Sequence, residues 1–380
     1  MKICFICYEY PPGLHGGVGT FTQVLARALV RLGHQVRVIG VYPANYAAPD
    51  YEEDEGVHVW RLRESGKRFA WIGARYRLHR VIRRWVRSGE IDLIESPDCY
   101  GWYMGWRRMS VPLVARAHGS LTYFAHELGQ PIPRTGGRLE ALSYAHVDAW
   151  IAVSAHTGDV TRRLFALPSG PDAVIYNPVE GPSPLVPYMS RTPGHVAFAG
   201  TLTAKKGIEF LIDAWPEVFA SHPEATLHVY GKGSADGSTE ARLAQRLPVP
   251  TRSSVHFHGH VDRPTLISAL SQAQVAVFPS LTETFGLCAV ESMACGCPTI
   301  YTKLSCGPEI VRDGTDGLLV DPRSPSEIAR AIITVLDDPQ LGQRLACAGP
   351  RRVRESFSLD AVIPENVAFY ERAVREKRES

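Results

Sequence analysis

Short apolar runs of strand length alternate with stretches of helical periodicity along this chain, and the series occurs twice. Such alternation builds parallel sheets covered by helices, because a strand that returns in parallel needs a crossover, and a helix is the usual one. In the first series, residues 2–8 read as a buried strand. A helix is expected from Thr20 to about Leu32, where Phe21, Val24, Leu25, Ala28, Leu29 and Leu32 keep helical spacing and Gly33 stops it. Val36 to Val41 gives the next strand, and Ile91–Ile94, Val111–Ala117 and Trp150–Val153 continue the pattern. The second series opens at Val196 to Gly200. It has strands at Thr226–Tyr230, Val255–His258, Val275–Phe278 and Pro298–Tyr301, and a last turn and strand over Gly314–Val320. Helices are expected at about 325–337, 340–348 and 361–376. Between the series, Asn177 to Gly194 holds five prolines, which is a linker composition.

At 380 residues the chain is long enough for two domains, and 45% hydrophobic with 21% charged residues can fill two cores without disulfide staples. A net charge of +2 does not describe a general polyanion binder, and no nucleic-acid-binding motif accompanies it. Cys4 and Cys7 form a C-x-x-C, but on a strand they point to opposite faces, and no second pair gives zinc spacing. Free thiols in a reducing cytosol are expected. The first seven residues are too short for a signal peptide and run on to charged Glu9, and no apolar run approaches membrane-spanning length. A cytoplasmic protein is the expectation.

The chemistry concentrates in Glu283-Thr284-Phe285-Gly286-Leu287-Cys288-Ala289-Val290-Glu291. The apolar strand Val275–Phe278 leads into it and is closed by Pro279; a short helix leads out and ends near Cys295-Gly296-Cys297-Pro298. Glu283 falls in the loop and Glu291 about two turns into the helix. The Phe285, Gly286 and Leu287 amides are expected at the helix N-terminus, where unpaired N–H groups and the positive dipole end attract anions. An ionised carboxylate only accepts hydrogen bonds, which suits two neighbouring hydroxyls. Two diol-binding carboxylates around a phosphate-binding helix end describe a nucleotide-sugar site. Other nucleotide signatures are missing: glycines 13, 16, 17 and 19 do not satisfy G-x-G-x-x-G, the second strand ends at Val41-Tyr42 without an acidic residue, and there is no Walker A stretch and no D-x-D.

Glu283, Phe285, Gly286 and Glu291 resemble the E-x7-E signature, in its E-x-F-G context, of retaining GT-B-fold glycosyltransferases of family-4 type (group 1). The resemblance covers nearly the whole chain. It implies an α/β fold of two Rossmann-like βαβ domains facing each other across a cleft. Residues 1–180 plus 361–380 would form an acceptor-binding domain, residues 195–360 a donor-binding domain, and 178–194 a Pro-rich linker.

The resemblance also assigns residues. Glu283 would hold hydroxyls of the donor sugar, Glu291 the ribose, and the amides near Phe285, Gly286 and Leu287 the diphosphate. Gly16 and Gly17 resemble a Gly-Gly turn that approaches the donor phosphates, where a missing Cβ lets backbone amides come close. His118, at the end of a strand, resembles a histidine near the transferring sugar, where neutral imidazole can bond a hydroxyl. Gly200 to Gly207 matches G-R-L-x-x-x-K-G except that Thr201 stands where the family has Arg. Lys206 matches the lysine that meets the diphosphate, and Lys205 stands beside it. Gly231 and Val261 fall where the family shapes its nucleotide pocket, and Asn177-Pro178 at its hinge.

The implied activity is transfer of a sugar from a UDP- or GDP-sugar to a hydroxyl acceptor, with retention and without metal or other cofactor, in glycan, glycolipid or glycoconjugate synthesis. A hydrolase or epimerase of nucleotide-sugars, or a non-catalytic binder, are the alternatives. Residues 61–87 carry ten Lys or Arg against one acid, Glu64, with Phe69, Trp71, Ile72, Tyr76, Leu78 and Trp85 interleaved. A basic amphipathic helix of this kind fits a solvated face, a peripheral contact with the inner membrane surface, or an anionic or lipid-linked acceptor.

Overall fold

The computed structural model describes residues 1–13, 15–64, 70–132, 134–234 and 236–379, with backbone only at 70 and 71. The chain divides into two compact units, Met1–Pro178 with Leu359–Ser380, and Val179–Ser358.

The first unit is built on an eight-stranded sheet in the order β3-β4-β2-β1-β5-β6-β7-β8. Its strands are β1 (Lys2–Ile6), β2 (Gln35–Tyr42), β3 (Tyr51–Asp54), β4 (Val57–Arg63), β5 (Leu93–Pro97), β6 (Leu113–Ala117), β7 (Ala149–Ala152) and β8 (Ala173–Val174). Only β3, paired with β4, runs antiparallel. Helix α1 (Gly17–Arg31) starts at Gly17 rather than Thr20, its first turn held by the Gly19 amide on the Glu9 carboxylate. One sheet face buries Ile3, Phe5, Phe21 and Val38 with Val362, Ile363, Phe369 and Tyr370 of the C-terminal helix, Leu359–Glu379. The other buries Cys4, Ile6 and Ile39 with Leu78, Ile82 and Trp85 of α2 (Ala70–Arg87). Cys7 belongs to the first cluster and Cys4 to the second, as strand alternation requires, and all eight cysteines are free thiols. Helices α3 (Leu121–Glu127) and α4 (Arg134–Tyr144) follow β6.

The second unit has a six-stranded sheet in the order β11-β10-β9-β12-β13-β14, all parallel. The strands are β9 (His195–Ala199), β10 (Thr226–Tyr230), β11 (Val255–Gly259), β12 (Val275–Phe278), β13 (Thr299–Thr302) and β14 (Leu318–Val320). Helices α5 (Ile208–Ser221), α6 (Arg263–Gln272) and α7 (Leu287–Ala294) follow β9, β11 and β12. Val196, Phe198, Leu211, Trp215, Ile300 and Ile328 anchor its core. The Pro-rich stretch is packed on this unit: the Arg191 guanidinium donates to the Leu270, Ala273 and Cys295 carbonyls at 3.0, 3.0 and 2.6 Å.

Strand order turns back between β1 and β5 in the first sheet and between β9 and β12 in the second. Loops leaving adjacent strands in opposite directions open a crevice at such points, which is where open α/β sheets bind ligands.

The basic stretch 61–87 is not one surface. Arg61 ends inside the first unit, bonded to Glu52 and to the Pro49 and Pro11 carbonyls. Arg63 is held by Asp50, and Arg75 donates to the Tyr100 and Gly101 carbonyls. Lys67, Arg68 and Phe69 lie outside the described residues, as does the Trp71 side chain. What faces outward on α2 is Ile72 and Tyr76 followed by Arg77, Arg80, Arg84 and Arg87. Among the described residues no helix is long and apolar enough to cross a membrane.

Candidate active site

The turn-back point of the second sheet brings two loops together, one leaving β9 and one leaving β12. Gly200 (φ +153°) and Gly207 (φ +68°) bracket the first. A Cβ at Gly207 would stand 1.7 Å from the Pro279 carbonyl, so glycine there lets the two backbones touch. The Leu281 amide donates to the Lys205 carbonyl at 2.8 Å, a second tie between the loops.

That contact places Lys206 Nζ 2.5 Å from Glu283 Oε1, which also accepts from Ser280 Oγ at 3.0 Å. Burial works against the Lys206 ammonium, but the Glu283 carboxylate outweighs it and the lysine titrates above its ordinary range. Gly286 (φ +84°, ψ 57°) then caps α7, and no side chain caps that end. The Leu287 and Cys288 amides open the helix, where N–H groups have no intrahelical partner. The Phe285 ring is core, edge-on to Phe357 at 5.5 Å, and its carbonyl accepts from Tyr301 Oη.

Glu291 lies just over one turn into α7, not two, because the helix begins at Leu287. Its Oε1 accepts from Arg263 Nε at 3.0 Å, with the carboxylate side chain 6% exposed. Burial pushes the Glu291 carboxyl up and Arg263 opposes it. Each signature carboxylate therefore has its own cation, Lys206 from the turn after β9 and Arg263 from the first turn of α6.

Thr201 is exposed, with its hydroxyl 3.5 Å from that of Thr203. Lys205 is half-buried on the same turn as Lys206. Gly231 (φ +155°) packs against Gly200, where a Cβ would meet the Gly200 carbonyl at 1.8 Å, so its place is fixed by backbone approach. Val261 lies two residues before Arg263 and lines a groove of about 680 Å³ with Tyr230 and His258.

Gly16, Gly17 and His118 belong to the first unit. Gly16 caps α1 in extended conformation. The carboxylate of Glu9 occupies this helix end: it accepts from the Gly19 amide at 3.0 Å, with Gly16 and Val18 amides beside it. Burial pushes the Glu9 carboxyl up, and those amides oppose it. These amides of the Gly16-Gly17 turn thus already face a carboxylate. His118 follows β6, half-buried, its ring edge-on to Phe21 at 4.6 Å and its amide on Asp98 Oδ1 at 3.0 Å. Burial, then the Arg116 charge, hold the imidazole well below its usual range, so it is neutral at pH 7.

Arg263, Ser280 and Glu9 were not among the residues singled out from the sequence. Arg263 had a local sign, following Asp262 at a helix start, but nothing in its spacing points to Glu291. Glu9 had one too, as the charge that ends the first apolar strand.

Comparison with known proteins bears on this arrangement. Residues 15–180 match the family described as Glycosyltransferase Family 4, and residues 193–338 match Glycosyl transferases group 1. The chain is 30% identical over 413 residues to the glycogen synthase of Mycobacterium tuberculosis, covering 100% of this chain and 96% of that protein. Sucrose-phosphate synthase of Thermosynechococcus elongatus matches with a TM-score of 0.81 at 22% identity, over 97% of this chain and 98% of that one. Anabaena HepE, solved with UDP and glucose, matches with a TM-score of 0.72 at 18% identity, over 98% and 99%. These two likenesses concern the fold, which is the GT-B type with two parallel-sheet, Rossmann-like domains. Both halves match the family and a relative aligns over the full length at this identity: the chain belongs to the group 1, family 4 glycosyltransferases, enzymes that transfer sugars from nucleotide-sugar donors.

Proposed function

We propose that the chain transfers a sugar from a UDP- or GDP-sugar to a hydroxyl acceptor, with retention and without a metal ion, in glycan, glycolipid or glycoconjugate synthesis. The observation that carries this reading is the double pairing at one crevice, Lys206 on Glu283 and Arg263 on Glu291. It positions both carboxylates, each beside a cation, with oxygens left to accept from hydroxyls. HepE was solved with UDP, which favours uridine over guanosine in the donor.

In this reading the Val179–Ser358 unit binds the donor. Glu291 accepts from the ribose hydroxyls and Glu283 from the sugar. Lys206, with Lys205 beside it and the Leu287 and Cys288 amides ahead of it, stabilises the negative charge that grows on the leaving diphosphate. Thr201 adds a hydroxyl where the family's arginine would add a charge. His118, neutral, bonds a hydroxyl of the transferring sugar.

Calorimetric titration with UDP tests the assignment. Glu291→Ala is expected to weaken binding at least tenfold, about 1.4 kcal/mol. Glu283→Ala should leave UDP affinity near that of the parent while turnover of the matching UDP-sugar falls roughly a hundredfold. UDP binding unchanged in Glu291→Ala would remove the ribose role.

A further inference from the structure

The loops that follow β9 and β10 are joined at their backbones. The Gly200 amide donates to the Tyr230 carbonyl at 2.9 Å, and the Leu202 amide donates to the Lys232 carbonyl at 3.0 Å. Between these two bonds Gly231 passes so close that a Cβ on it would stand 1.8 Å from the Gly200 carbonyl. The stem of Lys206 lies against the same glycine: a Cβ on Gly200 would meet its Cγ and Cδ at 3.7 Å each. Thr201 and Lys232 therefore flank one backbone contact, and Lys206 packs on it.

The charges around this contact leave room for one more cation. Lys206 is shared with Glu283 at 2.5 Å, and Arg263 is committed to Glu291 at 3.0 Å. In these two pairs cations and carboxylates are equal in number. A diphosphate adds negative charge that such pairs balance only in part. Lys205, on the Lys206 turn, is half-buried, and Thr201 offers a hydroxyl without a charge.

Lys232 does offer a charge. It is exposed, and among the described residues no carboxylate forms an ion pair with it. The acids that follow it in the chain turn to backbone instead: Asp236 accepts from the Ser238 amide at 3.0 Å, and Glu240 from the Gly233 amide at 3.2 Å. A lysine suits such a place. Its ammonium stays hydrated until an anion arrives, and its rotatable stem needs no bidentate geometry to reach one.

We propose that Lys232 is a further donor-binding residue: its ammonium joins Lys206 at the diphosphate and supplies the positive charge that Thr201 does not. This rests on the transferase reading above and names one more contact of the same site.

Titrations of the full chain with UDP, UMP and uridine, and with the guanosine series, test it. Because Lys232 is exposed, Lys232→Ala is expected to melt with the parent, while its affinity for the nucleoside diphosphate falls roughly fivefold or more. Affinity for the nucleoside, which carries no phosphate, should not change, and the loss for the monophosphate should be smaller. Lys232→Arg, which keeps the charge, should stay within about twofold of the parent. Added salt should weaken diphosphate binding less in Lys232→Ala than in the parent, since one screened attraction is gone. Thr201→Arg, introduced into Lys232→Ala, should restore most of the lost affinity, because both positions flank one contact. An unchanged diphosphate affinity in Lys232→Ala, an equal loss for the nucleoside, or no recovery with Thr201→Arg would each overturn the proposal. Glu291→Ala, titrated alongside, reports the ribose contact by itself. Diphosphate binding that is lost in Glu291→Ala but untouched in Lys232→Ala would sink this inference and leave the transferase reading standing. A parent that binds neither diphosphate would overturn both.

Discussion

Gly286 meets two separate requirements. Its φ of +84° lies where a side chain is strained, and a Cβ there would stand 2.0 Å from Tyr301 Oη, itself buried and bonded to the Phe285 carbonyl. Gly286→Ala must shift either the tyrosine or the cap of α7. The expected cost is about 2–4 kcal/mol, with UDP affinity falling in parallel because the helix end moves. Chemical denaturation and UDP titration check it, and a variant matching the parent in both would show that α7's first turn adjusts freely. The Phe-Gly between the two glutamates was legible in sequence because it is local. The cations were not: Lys206 and Glu283 are 77 positions apart, and Arg263 and Glu291 are 28 apart. Lys206 was found through its own motif, and Arg263, which has none, was missed. What decides such partners is which strands neighbour each other, and a single sequence does not order its strands.

At the scale of elements, one strand pattern passed unnoticed. Alternation along β10 and β11 puts His228 beside His256, and His258 Nε2 lies 3.0 Å from His228 Nδ1. His195 of β9 adds a fourth ring, 4.1 Å from that of His228. Burial, then the neighbouring imidazoles, push His195 and His228 down to about 4. A histidine whose folded value lies below its unfolded value of about 6.5 binds protons more readily when unfolded. These groups therefore leave stability untouched above pH 6.5 and lower it as pH falls toward 4. Because the rings are coupled and His228 is partly exposed, the loss is about 1–2 kcal/mol rather than the full linkage value. Melting temperature from pH 7.5 to 4.5 checks this, with His228→Gln expected to flatten the acid slope; an equally steep slope in that variant would assign the loss elsewhere. Elements with a single period were readable, as most strands show. The stretch 61–87 was not, because charge alone does not separate arginines that end a strand, as Arg61 does, from those that face water on α2. Arg61 and Arg63 close β4, whose pairing with β2 only the folded sheet reveals.

For the whole molecule, the C-terminal helix shows how much of the architecture is settled at long range. Its apolar spacing marked a helix, while its destination came only with the family resemblance, because the bond that anchors it, Arg116 to Asn366 at 2.6 Å, spans 250 positions. Val362, Ile363, Phe369, Tyr370 and Val374 are buried against the first sheet. At about 1.5–3 kcal/mol for each large side chain, their burial contributes on the order of 10 kcal/mol as an upper estimate. That is comparable to the entire stability of a domain, roughly 5–15 kcal/mol. The helix also completes a buried charge pair: beyond the 2.8 and 2.9 Å bonds between them, Arg116 donates to Asn366 Oδ1 and Glu95 accepts from Tyr370 Oη. A chain ending at Ser358 would lose that apolar cover and leave the pair short of partners in a dry environment. The expectation is that the first unit unfolds while Val179–Ser358, a separate compact unit with its own hydrophobic cluster, stays folded. Hydrogen exchange resolved along the chain reads this directly. Amides of β1, β5 and β6 should lose protection, and those of β9, β10 and β12 should keep it. Protection of β1 and β5 equal to the full-length protein would mean that the first unit closes its core without the segment that returns to it.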